Sequence, residues 1–303
     1  MLLKKRIPFK FLISQVKFEL IFVTLYSVIL GVAHRYFGLE TTIPMAVPSI
    51  LGGAISLVIA FRLKQSYDRW WEARKIWGAI VNDSRTLIRN VITFTHLKQE
   101  TLKDSKEDNI FVERQVAWCY SLSQGLRGIN PLKGIREILK TDPDDYEYIK
   151  HHYNVPNALL MLHNYDFKKL HDEKKINDFQ QVQLSEVTSR LCDHMGKCER
   201  IKNTVFPKTY SVFVEYLLYL FIILLPFGVM DFSAWFQIPL TICVSMAFFL
   251  LERTAIQMQD PFENKPTDTP MTTLSQTIEL NLHQMIEEDM DEKPPVNKEF
   301  YQM

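Results

Sequence analysis

The chain carries no surplus of either charge: across 303 residues, Lys+Arg of 35 stand against Asp+Glu of 35. A nucleic-acid binder needs a basic face that neutralises phosphates and releases counterions. No such face is evident, so no nucleic-acid partner is expected. Cysteine is sparse as well. Cys119, Cys192, Cys198 and Cys243 show no paired framework, and three of them fall in a stretch read below as cytosolic, where thiols stay reduced. No disulfide is expected. The chemistry-bearing motifs are missing too: there is no G-x-S-x-G, no Walker loop and no H-E-x-x-H. Catalytic residues are therefore none, and an enzyme is not expected.

Metal ligands fare no better. Cys192, His194 and Cys198 form the nearest cluster, but on a helix only His194 and Cys198 share a face, which is too few ligands for a closed site. His151-His152 reads as a solvated helix end. Asp142, Asp144 and Asp145 lack the glycine turn and closing glutamate of a calcium loop and read as a helix cap. The expected metal and cofactor content is none.

What the sequence does have is four apolar runs long enough for a bilayer, which asks for roughly 20 residues per helix. After a basic start at 1–17 (Lys4, Lys5, Arg6, Lys10, Lys17), the runs cover about 18–33, 43–61, 212–229 and 235–251. They pair into two hairpins, 18–61 and 210–251. The first run also has the form of a signal peptide, with Gly31-Val32-Ala33 as a small-x-small site; a mature protein beginning near His34 would reveal that. Residues 62–209 change character to mixed charge with apolar residues at helical spacing, such as Trp70, Ile76, Ile80, Leu87 and Val91. Breaks are expected at Asn130-Pro131, around Pro143 and at Val155-Pro156. Residues 252–303 form a polar tail with one amphipathic segment near Leu274 to Ile286 and a disordered end. The fold class is an all-α membrane protein.

Basic residues flank the runs on one side only: Arg62, Lys64, Arg69, Lys202, Lys208 and Arg253 sit beside the inner ends, whereas the outer connections hold Arg35 alone. The positive-inside rule then puts both termini and the middle region in the cytosol. Glu19 and Glu215 are the only charges inside runs, and both lie near inner ends where a carboxylate reaches water or a basic neighbour. A coupled transporter, whose flux would depend on these two, thus lacks its usual mark. On the second run, Gly52 and Ser56 make a small-xxx-small pair, while Gly53, Leu57 and Phe61 recur along an adjacent face. If several copies surround an axis, Leu57 and Phe61 stack as apolar rings that gate by dewetting; the alternative is that this face packs on the first run.

The segment Ser66-Tyr67-Asp68-Arg69-Trp70-Trp71-Glu72-Ala73-Arg74-Lys75-Ile76-Trp77-Gly78 resembles the signature of bestrophins, particularly the prokaryotic branch. Two further matches follow in the family's order: Cys198-Glu199-Arg200-Ile201-Lys202-Asn203-Thr204 before the third run, and Asp260-Pro261-Phe262 with Ile278-Glu279-Leu280-Asn281-Leu282 after the fourth. The resemblance covers essentially the whole chain.

It implies a homopentamer around one axial pore in the lipid bilayer, with self as the partner and small monovalent ions as the permeant species. The implied neck is Gly53, Leu57 and Phe61, where relatives usually carry a bulkier group at the first position. The implied cytosolic aperture comes from the helix near Phe179 to Cys198, with Val187 first and Leu184 or Leu191 beside it. Trp70, Trp71 and Trp77 are read as packing, and Asp68 and Arg69 as a pair or a helix cap. Where animal members hold calcium with consecutive acids, this chain has Glu263-Asn264-Lys265-Pro266-Thr267-Asp268-Thr269, which argues against calcium binding. The family conducts chloride and other anions, and in some bacterial members sodium or potassium; the anion reading comes first. A membrane-anchored scaffold without conductance is the competitor from another class. A bacterial inner membrane is the expected location.

Overall fold

The computed structural model describes residues 8–38, 42–95, 106–204 and 207–286, and among these every regular element is an α-helix. Lys4, Lys5, Arg6 and the tail end expected to be disordered lie outside the described residues. The chain divides into two compact units. The first, built from residues 8–70 and 207–260, holds the apolar runs.

Its helices are α1 (Phe9–Gln15), α2 (Lys17–Phe37), the opening part of α3 (Ala46–Thr95), and the pair α9 (Lys208–Gly228) and α10 (Ala234–Gln259). α2, α3, α9 and α10 are each long and apolar enough to cross a membrane. α1 stops at Val16, a break the sequence did not announce. α2 ends at Gly38, whose φ of 65° supplies the left-handed cap that a side chain would resist. Val229 to Ser233 turn α9 into α10, and the Pro226 carbonyl accepts both from Val229 N–H and from the buried Gln237 amide, each at 3.2 Å. The helix that carries the second run outlasts it. The apolar residues stop at Phe61, but α3 continues unbroken through Arg62 and Lys64 to Thr95.

Bilayer tails are as apolar as leucine, so helices within lipid associate through close packing and polar contacts. α2 buries Glu19, Val23, Ser27 and Gly31, one residue per turn, and packs chiefly on α10. α3 buries Gly52, Ile55, Ile59, Arg62 and Ser66. A Cβ on Gly52 would come within 2.9 Å of the Phe221 ring, and one on Gly228 within 2.5 Å of Pro48 Cγ. Ser56, the partner expected for Gly52, is exposed and donates to the Gly52 carbonyl at 2.7 Å. Toward the end of this unit the buried Arg62 pairs with Glu252 and donates to Ser211 at 3.0 Å, Arg253 pairs with Glu19, and Gln257 meets Gln15.

The second unit takes residues 71–204 and 261–286. To the later part of α3 it adds α4 (Lys106–Leu126), α5 (Ile135–Ile138), α6 (Pro143–Ile149), α7 (Val155–Asp172), α8 (Asp178–Asn203) and α11 (Met271–Met285). Helix starts follow local chemistry. Asp142 accepts from Asp144 N–H ahead of Pro143, Asn154 accepts from Asn157 N–H, and Asn177 with Gln180 closes a capping box. The core is apolar, with Trp77, Trp118, Leu122, Leu159 and Phe167 at its centre. It also holds charge: buried Arg114 is clamped by Asp145 and Asp166 at 2.7 to 3.0 Å. His163 is buried between Phe111 and Phe167, stacked at 5.6 and 6.2 Å, with neither ring nitrogen hydrogen-bonded. Burial, and then the nearby Arg114 charge, hold its pKa well below the usual histidine value.

Two outcomes follow. Gly228→Ala forces its methyl into Pro48, and overpacking of this kind costs roughly 1–3 kcal/mol; the thermal midpoint of the purified protein in detergent should fall. His163 folds neutral but protonates in the unfolded chain, so the stability it permits is present above pH ~6.5 and drains below it, by at most ~1.4 kcal/mol per pH unit. His163→Phe should flatten the decline of the melting temperature between neutral and acidic pH; an unaltered slope would show that His163 is not the group being titrated.

Candidate functional site

The stripe of Gly53, Leu57 and Phe61 lies on the open face of α3. Leu57 is 59% exposed and Phe61 60% exposed, and a Cβ on Gly53 would meet nothing within 4 Å. The packing face, Gly52 through Ser66, points the other way. Within the protomer, then, Leu57 and Phe61 are not consumed by packing on the first run. Ile50 extends the stripe in one direction, and Lys64 and Asp68 in the other, all exposed. At ~100° per residue these positions fall within about 40° either side of Leu57.

The remaining charges on this stretch of α3 turn inward. Arg62 is buried against Glu252 and Ser211, and Arg69 Nε donates to the Gln259 carbonyl at 2.9 Å. Asp68 pairs with Lys64, one turn earlier. Asp68 thus does pair, with Lys64, while the alternative that Asp68 and Arg69 cap a helix is corrected, because α3 has no end there to cap. Trp77 is fully buried, as the packing reading requires, and Trp70 is half-buried with its ring 6.0 Å from Tyr67. Trp71 departs from that reading, being exposed.

In the second unit the motif residues meet one another. Glu72 accepts from Arg200 at 2.6 Å, joining two segments far apart in sequence. Arg74 lies along its own helix beside Gly78. Glu199 accepts from Asn154 at 3.1 Å and, with Asn203, lines an open cleft that Tyr153 and Ile129 border. Cys198 is buried, and desolvation pushes its thiol up to about 12, as it does for Cys119; both stay protonated at neutral pH. Cys192 is exposed, while His194 turns to Asp83 at 3.0 Å, so the three residues of the metal-like cluster do not converge. Among the described residues no group of three metal-binding side chains comes together.

The tail docks through its own motif. Pro261 and Phe262 are buried, Ile278 and Leu282 enter the core, Tyr120 donates to Glu279 at 2.6 Å, and Arg85 Nε donates to Asn281 at 3.0 Å. Asp260 caps the end of α10 in extended conformation. Where animal bestrophins carry their acidic run, Asp268 is buried and accepts from the Lys265 backbone N–H at 2.9 Å, and Thr269 N–H donates to the Pro261 carbonyl. The loop closes on itself, and Lys265 pairs with Glu263.

The aperture residues need correction. Leu184, Val187 and Leu191 are buried in the core of the second unit, so in this protomer they face other helices and not a lumen. The exposed apolar residues of α8 sit at its start: Phe179, and Val182 at 67% exposure. Sequence reasoning passed over them, yet a signal existed, because they stand alone among Asp178, Gln180, Gln181 and Gln183 and so belong to no core stripe.

Known proteins agree with this layout. A family model described as bacterial/fungal bestrophin protein matches residues 10–284. A voltage-dependent anion channel-forming protein of Nostoc sp. is 29% identical over 248 residues, covering 80% of this chain and 79% of that protein. Its namesake in Ralstonia nicotianae is 30% identical over 242 residues, covering 79% and 76%. The crystal structure of a bacterial bestrophin homolog from Klebsiella pneumoniae superposes with a TM-score of 0.82 at 28% identity, covering 91% of this chain and 100% of that one. With nearly the whole chain matched in sequence and in fold, this integral membrane protein belongs to the bestrophin family, in its bacterial and fungal branch.

Proposed function

We propose that the chain forms a homopentameric channel for small monovalent anions, with the open face of α3 lining an axial neck. The observation that carries this is the division of α3 into two faces. One is buried by Phe221 and Glu252, and the other presents Gly53, where a Cβ would meet nothing within 4 Å, and Leu57 and Phe61, each more than half exposed. Copies of such a helix around an axis stack Leu57 and Phe61 as two apolar rings, where an ion sheds part of its hydration and a closed state is held by dewetting. Gly53 leaves the outer part of the neck wide. The anion preference is taken from the names of the relatives, which are anion channel-forming proteins.

The basic residues beside the spans support a protein of the bacterial inner membrane whose second unit and both termini lie in the cytosol. Its exit is narrowed by Val182, with Phe179 one turn before it, in place of the buried Val187. Self-assembly supplies the only partner that this mechanism needs.

Planar-bilayer recording of the purified protein under a potassium chloride gradient tests both halves of the reading. A reversal potential on the chloride side is expected; one near the potassium equilibrium potential would make the same architecture a cation channel, and no current from an intact oligomer would favour a scaffold. Replacing Leu57 and Phe61 together by Ala should raise unitary conductance severalfold or abolish closure, since both rings widen. Unchanged conductance would place the neck elsewhere. Val182→Ala should alter conductance where Val187→Ala instead lowers the melting temperature, because Val187 is core.

A further inference from the structure

The apolar rings carry no charge, and so cannot by themselves favour one sign of ion. Resting on the pore reading above, we propose that Lys64 is the residue that sets the charge preference of the neck, opposed by Asp68 one turn beyond. Among residues 46–70, α3 has four charged side chains, Arg62, Lys64, Asp68 and Arg69. Their placement divides them cleanly. Arg62 and Arg69 turn inward to Glu252, Ser211 and the Gln259 carbonyl. Lys64 and Asp68 stay on the open face, their side chains 68% and 56% exposed, in line with Leu57 and Phe61.

An ion leaving the Phe61 ring therefore meets an ammonium first, one helical turn on, and a carboxylate only a turn later. The pair does not cancel this order. Lys64 is paired with Asp68, but an exposed pair of this order on a helix is weak, so it does not hold the ammonium away from a passing anion. Symmetry then multiplies the effect, since every protomer brings its Lys64 to the same level of the axis. A ring of like charge at a narrow, low-dielectric mouth concentrates counter-ions there. Screening sets its reach, because the Debye length falls from about 10 Å at 0.1 M salt to about 3 Å at 1 M.

The test is the chloride-to-potassium permeability ratio of full-length channels in planar bilayers. Lys64→Gln should lower that ratio by at least about threefold and Lys64→Glu further, while Asp68→Asn should raise it. Lys64→Arg, which keeps the charge, should match the parent protein, and raising the salt should shrink the difference between parent and Lys64→Gln. Conducting Lys64→Gln and Asp68→Asn channels with the parent's ratio would overturn the proposal. If the doubly negative ring of Lys64→Glu breaks the oligomer, seen by gel filtration, the two neutral variants decide the matter. The Leu57→Ala, Phe61→Ala double variant separates the two levels of inference: altered conductance there with no effect of Lys64 sinks only the charge ring, whereas no effect of either sinks the pore reading itself.

Discussion

The rotation of α3 about its own axis is the setting on which the functional face depends, and a small set of contacts fixes it. Arg62 is buried in apolar surroundings and must find Glu252, because an uncompensated charge there would cost several kcal/mol. One helical turn or more before it, Ile59 and Ile55 fill the space beside α9, and Gly52 lets the Phe221 ring come close. A slip of one residue would turn the helix by ~100°. It would strand the guanidinium and swing Leu57 off the centre of the open face. The pair adds little net stability once its desolvation is counted. What it contributes is a single permitted rotation, and with it a defined opposite face.

Lipid makes such a protein unusually legible at the level of spans. A helix that crosses a bilayer must be long and apolar, and that demand wrote the four runs into the sequence plainly enough for α2, α3, α9 and α10 each to be found from its run. The same demand concealed the true length of α3. Arg62 and Lys64 look like the end of a span because they are charged. In the fold one is neutralised internally and the other stands on the open face, and neither interrupts a backbone that has no reason to stop. Charge marks the depth at which lipid ends, and helices end for other reasons.

The candidate site was half legible for a related cause. On α3 the stripe Gly53, Leu57, Phe61 was readable because the buried face beside it held small residues and an arginine, leaving two distinguishable sides. On α8 the residues to which the family resemblance points for the aperture, Leu184, Val187 and Leu191, form an apolar stripe that belongs to the core. In a unit surrounded by water the most apolar stripe of an amphipathic helix is the one that packs, whereas a channel-lining residue stands outside it. The distinction needs the neighbouring helices, and those are set by long-range pairs such as Glu72 with Arg200 and Arg85 with Asn281, whose partners no local pattern announces.

Asp268 changes how the tail should be regarded. Its carboxylate is spent on the chain's own backbone, and the loop it closes leads directly into α11, whose Ile278 and Leu282 are sunk in the core. A segment anchored in this way behaves as part of the folded body, so loosening the loop would loosen α11 with it.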